Sequence, residues 1–193
     1  MPRLSLLSVA VSTALFAPPA HAQTAPLPTL EVLGEFVVEA FGGDEVVELT
    51  FEDGETQTLH AGQGGTVAGG VLVRPLQTLP LSLRATVGYK FVLNASINAD
   101  VRLTRIPVEL VAAYGITPDV WAGAGYVLHA NTTLYGDEFF EDLDFDPAHG
   151  LTVEAGWKWI GASYTAISYT DEFGEGYDAS SVGLTLRYGF PIR

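Results

Sequence analysis

Cysteine is missing from the whole 193-residue chain, so neither disulfides nor thiolate chemistry is available to steady an exported fold. Cations are scarce as well: nine Lys and Arg stand against 23 Asp and Glu, for a formal net charge of −14. So acidic a surface is repelled by phosphodiester backbones, which argues against nucleic acid as a partner. Also missing is any apolar run near the ~20 residues that a membrane-spanning helix takes. The nearest approach, Leu4 to Ala17, has about 14 residues.

That stretch has its own meaning. Arg3 precedes it and Ala20-His21-Ala22 follows it, the charged, apolar and small-x-small layout of a secretory signal peptide. Residues 1–22 are therefore expected to be removed, leaving 23–29 as a short periplasmic leader and 30–193 as one domain. A mature chain with no spanning helix is expected to be either soluble or a barrel.

What the sequence does have is alternation. In Leu81-Ser-Leu-Arg-Ala-Thr-Val-Gly-Tyr-Lys-Phe91, apolar residues occupy every odd position, the period of a pleated strand. Eight such segments, roughly 31–41, 65–75, 81–91, 101–115, 120–132, 149–159, 162–171 and 179–190, are long enough to cross a bilayer as tilted strands. Their connections alternate between tight turns (77–80, 117–119, 160–161) and longer polar stretches (42–64, 92–100, 133–148, 172–178). Within 42–64, Asp53-Gly54 is a hairpin signal between two acidic arms, read as a hairpin rising above the barrel. Ten wall strands result if the arms join the sheet.

Sorting each segment by face puts the charges opposite the apolar side chains. Arg74, Arg84, Lys90, Arg102, Arg105, Lys158 and Arg187 fall there with Glu31, Glu35, Glu39, Glu109 and Glu154, and inner-face glycines such as Gly70, Gly125 and Gly183 offset the bulk of the arginines. Tyr89, Phe91, Trp157, Trp159, Tyr188 and Phe190 end the apolar face, where an interfacial girdle would sit. In a soluble sandwich the charged face would meet water and nothing would keep cations out of the loops. In an eight-stranded barrel both signs fill a narrow lumen and pair across it. The expected network is Glu35, Glu39, Arg84, Arg105, Glu109 and Arg187. Two segments break phase. Val101 and Leu103 alternate against Ile106 to Tyr114, which predicts a bulge near Arg105 or a later strand start, and Ala162, Tyr164 and Ala166 give way to Ile167 and Tyr169.

By its strand rhythm and its C-terminal stretch Val182-Gly-Leu-Thr-Leu-Arg-Tyr-Gly-Phe190, the chain resembles the small eight-stranded outer-membrane barrels of Gram-negative bacteria, the OmpA, OmpX and OmpW-like group, over about residues 30 to 190. Pro191, Ile192 and Arg193 follow the last aromatic, where such chains usually end. The resemblance implies an all-β, up-and-down antiparallel transmembrane barrel in the bacterial outer membrane, with short periplasmic turns and longer extracellular loops. It also implies delivery by the barrel-insertion machinery and contact with outer-membrane lipid and lipopolysaccharide. The expected state is a monomer.

Function is less determined, because barrels of this size serve as anchors, adhesins, conduits for apolar molecules and lipid-modifying enzymes. The His and Ser two residues apart that lipid-deacylating barrels carry is absent: Ala130-Asn131 follow His129, and Asn94-Ala95-Ser96 has no neighbouring His. No catalytic residue is assigned. Asp142, Asp144 and Asp146 resemble the start of a calcium loop, but Pro147 stands where Gly is required and Val153 where Glu is required, which excludes an EF-hand. These three remain the metal-site candidates. With no resident cofactor expected, Ca²⁺ or Mg²⁺ is the natural counter-ion between the acidic loops and phosphorylated lipid. The resulting expectation is a non-enzymatic barrel with a charge-paired lumen. A conduit or binder for small hydrophobic molecules is the second reading and a lipid-modifying enzyme the third.

Overall fold

The computed structural model of the chain describes residues 28–50, 56–76, 78–93, 101–136 and 141–192. The signal peptide, the leader up to residue 27, the Asp53-Gly54 turn, Asn94-Ala95-Ser96, Asp137 and Glu138 lie outside these residues. The elements are β1 (Thr29–Phe41), β2 (Glu45–Thr50), β3 (Thr56–His60), β4 (Gly64–Arg74), β5 (Leu81–Leu93), β6 (Arg102–Gly115), β7 (Val120–Tyr135), β8 (Leu143–Phe145), β9 (Ala148–Trp157), β10 (Ile160–Thr170), β11 (Gly176–Asp178) and β12 (Ser181–Pro191).

The pairing closes on itself. β1 pairs with β4, and β4, β5, β6, β7, β9, β10 and β12 follow in turn, each antiparallel to the next, until β12 pairs with β1. This is a closed, eight-stranded, up-and-down β-barrel, and closure leaves no unpaired edge in the wall. β8 and β11 prolong β9 and β12 in unchanged register, against β7 and β10. The stretch 172–178, expected as loop, is thus partly strand. It turns on Glu172-Phe173-Gly174, where Gly174 has φ of 85° and the Asp171 carboxylate accepts the amides of Phe173 and Glu175 at 3.0 and 2.8 Å. β2 and β3 form a separate two-stranded sheet, so the wall has eight strands and not ten.

Along each wall strand the burial alternates, and neither apparent change of phase is real. Val101 just before β6 and the odd residues Leu103, Arg105 and Val111 on it are all buried, and on β10 so are Thr165, Ile167 and Tyr169. The same face of β6 and of β10 points inward throughout, and its chemistry changes with height. At the end that carries β2 and β3 the lumen is filled by Leu59, Ala61, Val101, Leu103, Val127, Leu134, Phe145, Ala148, Ile167, Tyr169 and Ala179, which pack into one cluster. A register shift does occur beside Arg105, but on the neighbouring strand. Thr104 faces Thr133 and Ile106 faces Ala130, so β7 carries the extra residue, and Asn131 adopts φ of 47° there. Asn tolerates this left-handed conformation better than most side chains. The β5–β6 register passes the same level unshifted.

The outer wall is apolar. Val67, Val87, Leu110, Leu151, Val153, Leu184 and Leu186 are exposed at mid-height, with Tyr89, Tyr114, Trp157, Trp159, Tyr188 and Phe190 towards the two ends. Two cations expected on the inner face are not there. Arg102 is exposed, its guanidinium 4.6 Å from the Tyr135 ring centroid, because at the height of β8 the barrel exterior has become polar. Lys158 sits in the β9–β10 turn at φ of 54°, exposed and lying over Trp157.

Candidate functional site

Inward-facing positions on β1, β5, β9 and β12 bring four charges together across the lumen. Arg84 donates from Nη1 to Glu35 Oε2 at 2.6 Å and from Nη2 to Glu154 Oε2 at 2.8 Å. Arg187 donates from Nε to the same oxygen of Glu35 and from Nη2 to the same oxygen of Glu154, both at 2.9 Å. The result is a closed ring in which one oxygen of each carboxylate, Oε2, bridges both guanidinium groups. It is almost dry: the side chains of Arg84, Glu35 and Glu154 are 3, 4 and 4% exposed and that of Arg187 is 12%. Charged pairs survive such burial only when their hydrogen bonds are good. Glu109 stands at the margin, 3.4 Å from Arg84 and 25% exposed.

Of the six residues expected in the network, Glu35, Arg84, Glu109 and Arg187 meet. Glu39 and Arg105 do not join them. Glu39 lies higher, where it pairs with Lys90 at 2.6 Å and accepts the Ser181 hydroxyl, also at 2.6 Å. Among the described residues Arg105 touches no carboxylate. It is fully buried, donates to the Gln63 carbonyl and lies with its guanidinium 5.7 Å from the Tyr169 ring centroid, while the Tyr169 hydroxyl meets His129 Nδ1 at 2.6 Å. Glu154 and Lys90 are the members the sequence placed on the correct face but left out of the network. Which cation meets which acid across a lumen depends on the stagger of the strands, and alternation within one strand does not encode it.

The far end is capped. The β2–β3 sheet does not simply rise above the wall, because the end of β3 and the segment after it fold inward. Leu59 and Ala61 enter the apolar cluster, and the carbonyls of Gly62 and Gln63 accept from Lys90 and Arg105. Gly62 fits only because it lacks a Cβ, which would come within 2.7 Å of Gly42 O. Between cap and ring the lumen keeps about 20 Å³ of free space, bordered by Glu39, Lys90, Glu109 and His129. That is room for about one water.

The opposite end is open. Below the ring lies a cavity of about 550 Å³ bounded by the turns at Pro80, Pro118 and Lys158. Trp121 enters it from β7. Its Nε1 donates to the Lys158 carbonyl at 3.1 Å, its ring lies 4.8 Å from the Arg187 guanidinium, and it rests on Gly161, where a Cβ would approach to 2.9 Å. Within the ring itself Arg84 Nε and Glu154 Oε1, both sealed from the cavity, have no hydrogen-bond partner among the described residues. Sequence reasoning missed the cavity. The one signal available was the pairing of Trp121 with small residues at the facing positions Gly156 and Gly161.

The acidic loop residues are engaged in local hydrogen bonds. Asp142 accepts the Gly136 amide at 3.0 Å and Asp144 the Thr133 hydroxyl at 2.7 Å, while Asp146 is exposed. Among the described residues no three His, Asp or Glu side chains gather as metal ligands. His149 lies on the outer wall against the Tyr126 hydroxyl, and His60 Nδ1 is 3.3 Å from the Gly43 carbonyl. Asp178, at the capped end, is held below its ordinary carboxylate range by hydrogen bonds from the Ser180 hydroxyl and amide. No protein-family model matches the chain, and no curated protein matches it.

Proposed function

We propose that the chain is an integral outer-membrane barrel of the small eight-stranded kind, without enzymatic activity, whose lumen is closed by paired charges and whose acidic capped end faces the cell exterior. One observation carries the reading: polarity is inverted, with Leu151, Val153 and Leu184 more than half exposed on the wall while Arg84 and Lys90 are buried inside it. Water would make such a wall costly at about 25 cal/mol per Å² of apolar surface. Lipid makes it favourable. The stretch from Val182 to Phe190, at about 3.3 Å per residue and a tilt of about 40°, gives an apolar band of about 23 Å, close to the ~25 Å expected of such barrels.

On this reading the turns at 75–80, 116–119 and 158–159 face the periplasm, and Trp157, Trp159, Tyr188 and Phe190 sit at that interface. Tyr89 and Phe91 sit at the other. The acidic capped end meets phosphorylated lipopolysaccharide through Ca²⁺ or Mg²⁺, and its role is structural or adhesive. Insertion depends on the barrel-assembly machinery, and the protein works as a monomer. Since about 20 Å³ of free space admits no solute larger than water, a conduit role is the weaker alternative.

Spin labels test the proposal. Labels at Leu83, Val153 and Leu184 should collide freely with dissolved oxygen and poorly with a water-soluble nickel chelate, and should do so only after assembly into bilayers. Wall labels that prefer the chelate would refute the membrane reading. Steady conductance across a planar bilayer would refute the closed lumen while leaving the membrane in place.

A further inference from the structure

Arg102 stands apart from the other cations of the barrel. Arg74, Arg84, Lys90, Lys158 and Arg187 each have a carboxylate within 3.9 Å, and Arg105 is sealed inside on a backbone carbonyl. Arg102 is exposed on the outer face, and among the described residues no carboxylate pairs with it. It faces Tyr135 on β7, and the acids beside the end of that strand are engaged elsewhere: Asp142 accepts the Gly136 amide and Asp144 the Thr133 hydroxyl. What steadies the guanidinium is the Tyr135 ring, whose centroid lies 4.6 Å away. An arginine on an aromatic face keeps its in-plane N–H groups for a planar or tetrahedral oxyanion, with less side-chain freedom left to lose.

On the membrane reading, height decides what that acceptor is. Outward along β6 from Arg102 come Val108, Leu110 and, in the girdle at the opposite end, Tyr114. Arg102 and Tyr114 are about 30 Å apart along the barrel axis at ~3.3 Å per residue and a tilt of ~40°, against an apolar band of ~25 Å. Arg102 therefore stands about 5 Å past the band, in the polar layer where lipid headgroups lie. An arginine at that level is attracted to anionic headgroups and meets phosphate with two parallel N–H donors. One exposed arginine holds a soluble phosphate weakly, so the apolar wall below it must supply the rest of the binding. That commits the site to a lipid. We propose that Arg102, steadied by Tyr135, is a direct binding point for the phosphate of an exterior-leaflet lipid, whose acyl chains lie down the β6 wall over Val108 and Leu110. No bridging metal ion is needed there, unlike on the acidic surface around it.

The inference rests on the membrane reading and adds a headgroup contact to it. The test uses the full barrel in phosphatidylcholine nanodiscs, with EDTA present so that no divalent ion bridges. Dioleoyl phosphatidic acid is added to one sample, dioleoylglycerol to a second and inorganic phosphate to a third. The side-chain N–H resonance of Arg102, identified by its loss in Arg102→Gln, is followed in each. Phosphatidic acid should shift it saturably, and the other two should leave it in place. By native mass spectrometry the parent should retain phosphatidic acid at least about fivefold more strongly than Arg102→Gln, with Tyr135→Leu between them. Lys158→Gln, at the other end of the wall, should match the parent, folding being checked throughout by gel migration. An unmoved Arg102 resonance, an equal shift with inorganic phosphate or dioleoylglycerol, or equal retention by the parent and Arg102→Gln would each overturn the assignment. A barrel that enters the bilayer by its wall labels yet shows no such shift refutes this contact alone, whereas wall labels that stay in water refute the membrane reading and this contact with it.

Discussion

Replacing Glu154 by Gln keeps the shape of the side chain and removes one of the two carboxylates in the charge ring. Its Oε2 accepts from Arg84 at 2.8 Å and from Arg187 at 2.9 Å, so two charge-assisted hydrogen bonds weaken together. Each is worth about 1.5–3 kcal/mol. The ring is also left with two guanidinium groups and one bridging carboxylate, Glu35, in a dry lumen, and breaking a buried pair from one side costs about 3–5 kcal/mol. Glu109→Gln is the matched control. Among the described residues Glu109 makes one ion contact, at 3.4 Å, and is 25% exposed, so screening reduces its contribution and the expected cost is under about 1 kcal/mol. The measurement is reversible urea unfolding of the folded barrel in lipid vesicles, followed by tryptophan emission and by migration of unboiled samples on gels. A Glu154→Gln barrel within about 1 kcal/mol of the parent, or a Glu109→Gln barrel destabilised as much as Glu154→Gln, would show that the ring holds nothing together.

Leu184→Arg should cost about 2–4 kcal/mol if that wall position lies near the middle of a bilayer, against at most about 0.5 kcal/mol on a surface facing water, as read by the same unfolding assay. Leu59→Ala should lose about 2–5 kcal/mol of packing in the capped end and speed hydrogen exchange of the β2–β3 amides far more than those of β12. Gly156→Val should displace the Trp121 ring, at an overpacking cost of about 1–3 kcal/mol and with a red shift of its emission, because a Cβ there already overlaps the indole. Asp178 has a folded pKa below its unfolded one, so its hold on the Ser180 amide is complete at neutral pH and lost as pH falls below about 3.8. Amide exchange at Ser180, corrected for intrinsic rates, should show that loss in the parent and not in Asp178→Asn.

How far the barrel is legible in the sequence depends on what each residue's neighbours must be. Leu81 to Phe91 declares a wall strand by itself, since its alternation needs no partner to be read, and the same holds for 182 to 190. The two phase breaks were misread for one reason. Val101, Leu103, Ile167 and Tyr169 are apolar and inward because they meet Leu59 and Phe145 in the capped end, and alternation records polarity without recording height along the axis. Arg105 and Lys90 show a second limit. Both face inward on adjacent strands and pair at one level, yet Lys90 takes Glu39 and Arg105 takes a backbone carbonyl, a choice fixed by the cap and not by either strand. Where the strands continue as β8 and β11, short acidic segments gain their structure from the wall they prolong, so nothing local announces them.

Glu35 on the first strand reaches Arg187 on the last, 152 residues away in the chain. These two strands meet across the seam that joins the chain's two ends, so if that seam zips last the bridge between them is made last. An interaction absent from the assembling chain cannot hasten assembly; it delays reopening. Loss of the Glu35 carboxylate should therefore shorten the lifetime of the finished barrel while leaving its rate of formation nearly unchanged, making this contact a latch on the final seam.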